Sequence, residues 1–221
     1  MRPEPRADTD GATALRDRLA RVYWIGGGSG AGKSTIARRI ADRFGLRLYA
    51  TDELMSDHAS RSSAEDSPLL NEFLAMDMDE RWLNRSPEVM LETFHWFRGE
   101  GFGLIVEDLL RELHEPSVIV EGFRLLPHLV KPLVAAPGNA VWLLPTPEVH
   151  LAAIEQRGSL WTIAGQTRDP ATALRNLLER DRMFTERLYE ETRRLDLRVI
   201  EVDPSMTEDA LDQRVTSAFG L

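Results

Sequence analysis

The stretch Gly27-Gly28-Ser29-Gly30-Ala31-Gly32-Lys33-Ser34-Thr35 fits the spacing G-x-x-x-x-G-K-[ST]. A bend of glycines lets successive backbone N–H groups converge on phosphate oxygens without Cβ interference, at a helix N-terminus whose dipole favours anions. Gly28, Ser29, Gly30, Ala31, Gly32, Lys33, Ser34 and Thr35 are therefore expected to hold the phosphates of ATP, with Lys33 reaching the β- and γ-phosphates and Ser34 ligating Mg²⁺. Two acids sit where apolar runs end. Asp52 follows Tyr49-Ala50-Thr51, and a carboxylate there can take the proton of a hydroxyl that attacks the γ-phosphate. The alternative is that Thr51 or Asp52 caps the next helix. Glu121 closes Val118-Ile119-Val120, a position suited to the metal's water shell or to substrate, or else to capping or ion pairing. Arg124, three residues later, either binds an anion or satisfies Glu121.

Basic residues of the carboxyl half concentrate at Arg157, Arg168, Arg175, Arg180 and Arg182. Arginines delivered by a closing flap stabilise the charge that spreads over a transferring phosphoryl group, and Arg157 and Arg168 are the expected catalytic pair. Asp181 lies near an apolar stripe and reads as a partly buried acid paired with Arg180 or another Arg. His58, near Asp52 in sequence, is a candidate substrate contact or a structural residue. Arg81 and Arg85, one helical turn apart, could form a small anion site.

The elements that must position these groups are legible as five apolar runs: 22–26, Leu46 to Ala50, Val118 to Val120, Ala140 to Leu144 and Arg198 to Val202. Helical patterns fill the intervals. After the glycine bend, Ile36, Ala37, Ile40, Ala41 and Phe44 repeat along one helical face. Such alternation predicts a parallel sheet covered on both faces, with the glycine loop at the carboxyl ends of the strands. The connection over about 52–117 exceeds what one crossover helix needs and must build something extra. The segment Arg157 to Arg168, with Gly158 and Gly165, reads as a mobile flap, and Asp169-Pro170 opens a helix that runs to about Arg194. The turn Val202-Asp203-Pro204-Ser205 is placed to line a base pocket with Asp203 and Pro204. Residues 1–10 and Ala59 to Ser67 read as disordered.

With 221 residues, 43% of them hydrophobic, and five Trp, the chain suits one α/β domain over 1–221. No apolar run nears the roughly 18 residues of a membrane span and no signal-peptide segment opens the chain, so a cytoplasmic protein without membrane contact is expected. Zero cysteines exclude disulfides and thiolate chemistry, and the five His lack metal-ligand spacing, so any metal should arrive with the nucleotide. A net charge of −9 argues against nucleic acid as partner. A homodimer is left open.

Taken together, the glycine loop, Asp52 and the layout resemble the P-loop kinases related to nucleoside monophosphate kinases, a group including shikimate and gluconate kinases, chloramphenicol phosphotransferase and the zeta toxins. The resemblance implies a P-loop NTPase fold of class α/β, three layers α/β/α around a five-stranded parallel sheet. It also implies an acceptor-binding helical insertion after strand two, an arginine-bearing lid over 157–168, and Asp52 as base. Two departures stand out: Asp52-Glu53 is not the D-x-D of shikimate kinases, and Glu121 replaces the Asp usual in a Walker B strand. No N-K-x-D or L-S-G-G-Q motif points to the GTPase or transporter classes. The expected function is an ATP-dependent kinase acting on a hydroxyl of a small molecule; a nucleotide-dependent switch and a toxin-like nucleotide-sugar kinase are the alternatives.

Residues 52–110 hold fourteen Asp/Glu against four Arg, a net of −10. That excess predicts a neutral or cationic acceptor such as a polyol, nucleoside, amino sugar or antibiotic, unless the acids merely line exposed helix faces. Trp82, Phe94, Trp96, Phe97 and Phe102 either stack on that acceptor or form the insertion's core.

Overall fold

Strong alternation of large apolar residues fixes the centre of the molecule: along β1 (Val22–Gly27) Trp24 faces one way and Ile25 the other, both fully buried. A computed structural model describes residues 7–112 and 117–221. In chain order the helices are α1 (Ala7–Arg18), α2 (Lys33–Phe44), α3 (Met55–Arg61), α4 (Pro68–Ala75), α5 (Met78–Trp82), α6 (Pro87–Thr93) and α7 (Phe102–Glu112). These are followed by α8 (Pro127–Val130), α9 (Pro147–Arg157), α10 (Ser159–Ala164), α11 (Pro170–Arg194) and α12 (Glu208–Phe219). The remaining strands are β2 (Arg47–Ala50), β3 (Val118–Glu121), β4 (Ala140–Pro145) and β5 (Val199–Val202).

The five strands form one all-parallel sheet in the order β2-β3-β1-β4-β5. With helices on both faces and the glycine loop joining β1 to α2, this is the P-loop NTPase architecture of class α/β that the resemblance implies. Every expected strand is present, within a residue or so at each end. On one face Ile36, Ile40, Leu211, Val215 and Phe219 of α2 and α12 cover Ile25, Val141 and Leu143. On the other, Trp24, Val120 and Trp142 meet α7 and α11 through Ile105, Leu109, Phe184 and Leu188. Register sets the rim: Ile25 of β1 pairs with Glu121 of β3, and Glu121 with Ala50 of β2, so the residues after β2 and β3 emerge beside the glycine loop.

The long β2–β3 connection builds α3 to α7, so the helical insertion expected over 52–117 is present; residues 113–116 of it lie outside the described residues. Its aromatic residues are mainly core. Trp82, Trp96 and Phe97 are buried, and Phe97 stacks on Phe184 of α11 with centroids 3.7 Å apart and planes 4° from parallel. A third apolar cluster joins Trp82 and Met90 to Ala164, Ala173, Leu174 and Leu177.

Three segments expected to be disordered or mobile carry more regular structure than their composition suggests. Of residues 1–10, the first six lie outside the described residues, whereas Ala7 to Asp10 belong to α1. Ala59 to Ser67 is ordered: Ala59–Arg61 end α3, and Ser62 and Ser67 donate backbone bonds to His58 and Ser63. The segment read as a loose flap is mostly helix, because Ile163 and Ala164 of α10 supply apolar side chains that dock against Trp82 and Met90. The helix from Asp169 stands as expected: the Asp169 carboxylate accepts from Thr172 N–H, and α11 runs 25 residues to Arg194.

Because Phe184 links the sheet face to the insertion, Phe184→Ala should lower unfolding free energy by about 3–5 kcal/mol in urea titration. A loss under about 1 kcal/mol would show that the stack is not structural.

Candidate active site

The loop after β1 is shaped for anions before any side chain is considered. Gly32 caps α2 in the left-handed region with φ 78°, no side chain caps the helix, and its first turn holds no acid, so the leading N–H groups have no protein carboxylate to satisfy them. Gly30 has φ 83°, and a Cβ there would lie 2.8 Å from Ala153 Cβ on α9. Only glycine lets α9 lie this close to the loop. Lys33 is buried and its Nζ donates to the Gly28 carbonyl at 2.8 Å, folding the side chain back over the bend.

Two carboxylates share this cation. Burial raises the Asp52 carboxyl above its ordinary range, while Lys33, the Thr51 hydroxyl, Arg124 and the Phe123 N–H pull it back. Burial likewise raises Glu121, opposed by Lys33 and reinforced by Asp52, with the Ser34 hydroxyl lying against it. Glu121 is 2% exposed and its Oε2 is buried without a partner. Asp52 does not cap α3: the cap position is Leu54, without a side-chain bond, and the Asp52 carboxylate instead accepts from Thr51 Oγ1 at 3.1 Å. Gly122 makes this closeness possible. At φ 148° it leaves room for Thr51, whose Oγ1 would lie 1.8 Å from an added Cβ.

An orphaned carboxylate oxygen beside a serine hydroxyl at a helix N-terminus fits a hard divalent cation such as Mg²⁺, which takes oxygen ligands and retains waters. Ser34 and Glu121 are thus adjacent, the hydroxyl lying against the carboxylate. Arg124 does not satisfy Glu121. It is 2% exposed, donates to the carbonyls of Thr51 at 3.2 Å and Gly101 at 3.4 Å, stacks 4.1 Å above Trp96, and has no partner at Nε. Burial lowers its pKa to about 10, with Asp52 the opposing charge.

Two residues expected to touch substrate are placed elsewhere. His58 is fully buried behind β2, its Nε2 2.9 Å from Asp108 Oδ2 and 3.4 Å from the Tyr49 hydroxyl. Arg61 grips Asp108 bidentately at 2.7 and 2.9 Å and also Asp57 at 2.9 Å. Burial alone would raise the Asp108 carboxyl, but Arg61, His58 and Tyr49 hold it at about 2. Asp57, His58 and Asp108 offer metal-ligating atoms close together, yet the guanidinium already supplies their cation. Arg81 is also structural, because its Nε and Nη2 terminate α4 at the carbonyls of Phe73 (2.9 Å) and Leu74 (3.0 Å). Arg85 turns to Thr93 Oγ1 and the Arg81 carbonyl rather than forming an anion site with Arg81.

In the carboxyl half, Arg168 donates to Asn84 and pairs with Asp79 of the insertion at 3.3 Å; the side chain of Arg157 lies outside the described residues. Arg180 and Asp181 form the expected buried pair at 2.6 Å, and Arg182 binds Glu179 and Glu186. Asp203 closes its own turn, accepting from Ser205 N–H at 2.7 Å, and Pro204 is exposed. A cavity of about 250 Å³ opens instead at the end of β4, lined by Pro145, Thr146, His150, Thr185 and Tyr189.

The sequence reading missed Asp108, although an acid between the buried Ile105 and Leu109 on an apolar helix face signals a buried ion pair. His95 is buried against Phe73, Phe94 and Trp96, with Nδ1 unpartnered. Nothing in the local sequence announces that setting.

No protein-family model matches the chain, and no curated protein sequence matches it. Two solved structures are similar to it. Deoxyadenosine kinase from M. mycoides, solved with bound dATP, is 14% identical over 90% of this chain and 100% of that chain, at a TM-score of 0.47. An uncharacterized protein from Eubacterium ventriosum ATCC 27560 is 16% identical over 90% and 97%, at a TM-score of 0.46. Among the described residues no helix is long and apolar enough to cross a membrane.

Burial, then the Arg124 and Arg81 charges, lowers the pKa of His95 to about 4, below the roughly 6.5 of an unfolded histidine. The unfolded chain therefore protonates first, and this stability is complete above pH 6.5 and is lost as pH falls towards 4. The difference in unfolding free energy between wild type and His95→Gln should shift by roughly 1.4 kcal/mol per pH unit across that window, and stay flat above it. A constant difference from pH 7.5 to 4 would refute the buried neutral imidazole.

Proposed function

We propose that the chain is an ATP-dependent phosphotransferase acting on a hydroxyl of a small molecule. One observation carries this reading: the anion-shaped loop with Lys33 stands beside two carboxylates of raised pKa, the half-buried Asp52 and the buried Glu121, at the same sheet rim. The unpartnered Glu121 Oε2 beside the Ser34 hydroxyl suits a site that receives further positive charge. Mg²⁺ held on the Ser34 and Glu121 side would supply that charge and screen the phosphates.

The backbone N–H groups at the start of α2 and Lys33 hold and orient the triphosphate. Asp52, its basicity increased by burial, accepts the proton of the acceptor hydroxyl as that oxygen bonds the γ-phosphorus. The bond to the β–γ bridging oxygen breaks, and ADP leaves with the electron pair. The insertion α3 to α7 forms the acceptor side and α9–α10 the lid side of the cleft in this reading. Several of the insertion's acids have structural partners, so its net charge alone does not select a neutral or cationic acceptor. Asp77 and Glu80 form a capping box, and Glu100 accepts from Leu69 and Leu70 N–H at the start of α4. Glu92 binds Arg98 and Arg187, and Asp57 and Asp108 bind Arg61.

A mass-spectrometric screen of metabolites and antibiotics with ATP should find one class gaining a single phosphoryl group. With that acceptor, Asp52→Asn should lower kcat by about 100- to 10,000-fold with ATP affinity nearly unchanged. Lys33→Ala should lose transfer while keeping its circular dichroism. Unaltered transfer in either variant, or failure of the wild type to bind ATP in calorimetry, removes the reading.

A further inference from the structure

Building on the phosphotransfer reading, we propose that the acceptor is an anionic hydroxyl compound whose carboxylate or phosphate ester is received by Arg124, beside the hydroxyl held at Asp52. Arg124 is a buried guanidinium with no carboxylate within 4 Å among the described residues. Its two bonds are to neutral backbone carbonyls, at 3.2 and 3.4 Å, and Nε has none. A buried cation in this condition is costly unless an anion completes it, and the planar fork of Arg matches a carboxylate or phosphate with two parallel bonds. One of the two bonds is to Thr51, the residue before Asp52, so an anion at Arg124 lies close to a hydroxyl at Asp52.

The surroundings carry the same sign. Arg81 stacks over Phe73 at 4.7 Å, and Arg180 lies 5.0 Å over Phe94 and 5.2 Å over both Trp82 and Phe97. Arg180 has a carboxylate partner, Asp181, but its Nη1 has none. His58 and His95 each bury an unpartnered Nδ1, and burial together with the Arg124 charge lowers the pKa of both. Asp52 and Tyr49 are the groups that oppose Arg124. An anion answers the open donor of Arg124, whereas the buried unpartnered carboxylate oxygen of the rim, on Glu121, is on the Ser34 side.

A matched set of sugars with the same hydroxyl pattern tests this: gluconate, glucose 6-phosphate, glucose and glucosamine, titrated calorimetrically into the full chain. At least one of the two anions should bind about tenfold tighter than glucose and glucosamine, and which one does distinguishes carboxylate from phosphate ester. Arg124→Gln should abolish the preference, and Arg124→Lys should reduce it, because a point charge replaces the fork. Equal binding of all four sugars, tighter binding of glucosamine, binding of none, or a preference unchanged in Arg124→Gln overturns the proposal. If Arg124→Gln does not fold, the wild-type ranking and Arg124→Lys decide. ATP binding measured on the same samples reports separately on the phosphotransfer reading, which stands if ATP binds while the anions show no preference.

Discussion

The attraction of the Lys33 ammonium for two carboxylates, the buried Glu121 and the half-buried Asp52, is the constraint on which the rim depends. Lys33 is anchored by the first turn of α2 and folds onto the Gly28 carbonyl, while Asp52 and Glu121 arrive on separate strand exits. Parallel register brings them together, since Ile25, Glu121 and Ala50 lie in one row across β1, β3 and β2. Any slip of that register would separate the charges and strand an acid in low dielectric. The sheet, the loop and the electrostatics therefore hold one another in place.

The insertion shows how misleading a charge count can be without geometry. Its net charge of −10 suggests an acidic binding surface, yet several of its carboxylates sit at helix N-termini or against arginines. Further in, the buried guanidiniums of Arg124 and Arg180 are laid over aromatic rings. The two facts are compatible because helix ends and surface arginines draw acids outward, whereas aromatic faces provide a low-dielectric interior in which a planar, weakly hydrated cation is tolerated.

The parts of the molecule readable from the residues were those set by local periodicity or by a dense motif. Alternating runs gave the five strands, Asp169-Pro170 gave the start of α11, and the glycine spacing gave the loop with Lys33 and Ser34. Asp52 and Glu121 were legible because an acid ending an apolar strand has few structural uses. The fates of His58, Arg81 and Arg168 were not, since each is decided by a partner distant in sequence or in another element: Asp108 for His58, the end of α4 for Arg81, and Asp79 for Arg168. The order of the α9–α10 segment was missed for a related reason, because its docking face on Trp82 and Met90 exists only after the insertion has folded.

Helix α11 carries a mechanical consequence. Its Thr185 lies so near the loop that a Cβ on Gly28 would come within 2.7 Å of the hydroxyl, and its Arg187 binds Glu92 of α6. Two residues of an α-helix are separated by roughly 3 Å of rise, so both anchor points occupy one turn of a stiff rod. Swinging the insertion relative to the phosphate cradle then requires tilting the entire strut, with Phe184 levered against the sheet, or breaking one of the anchors. Movement of the insertion is thereby opposed at its footing on α11.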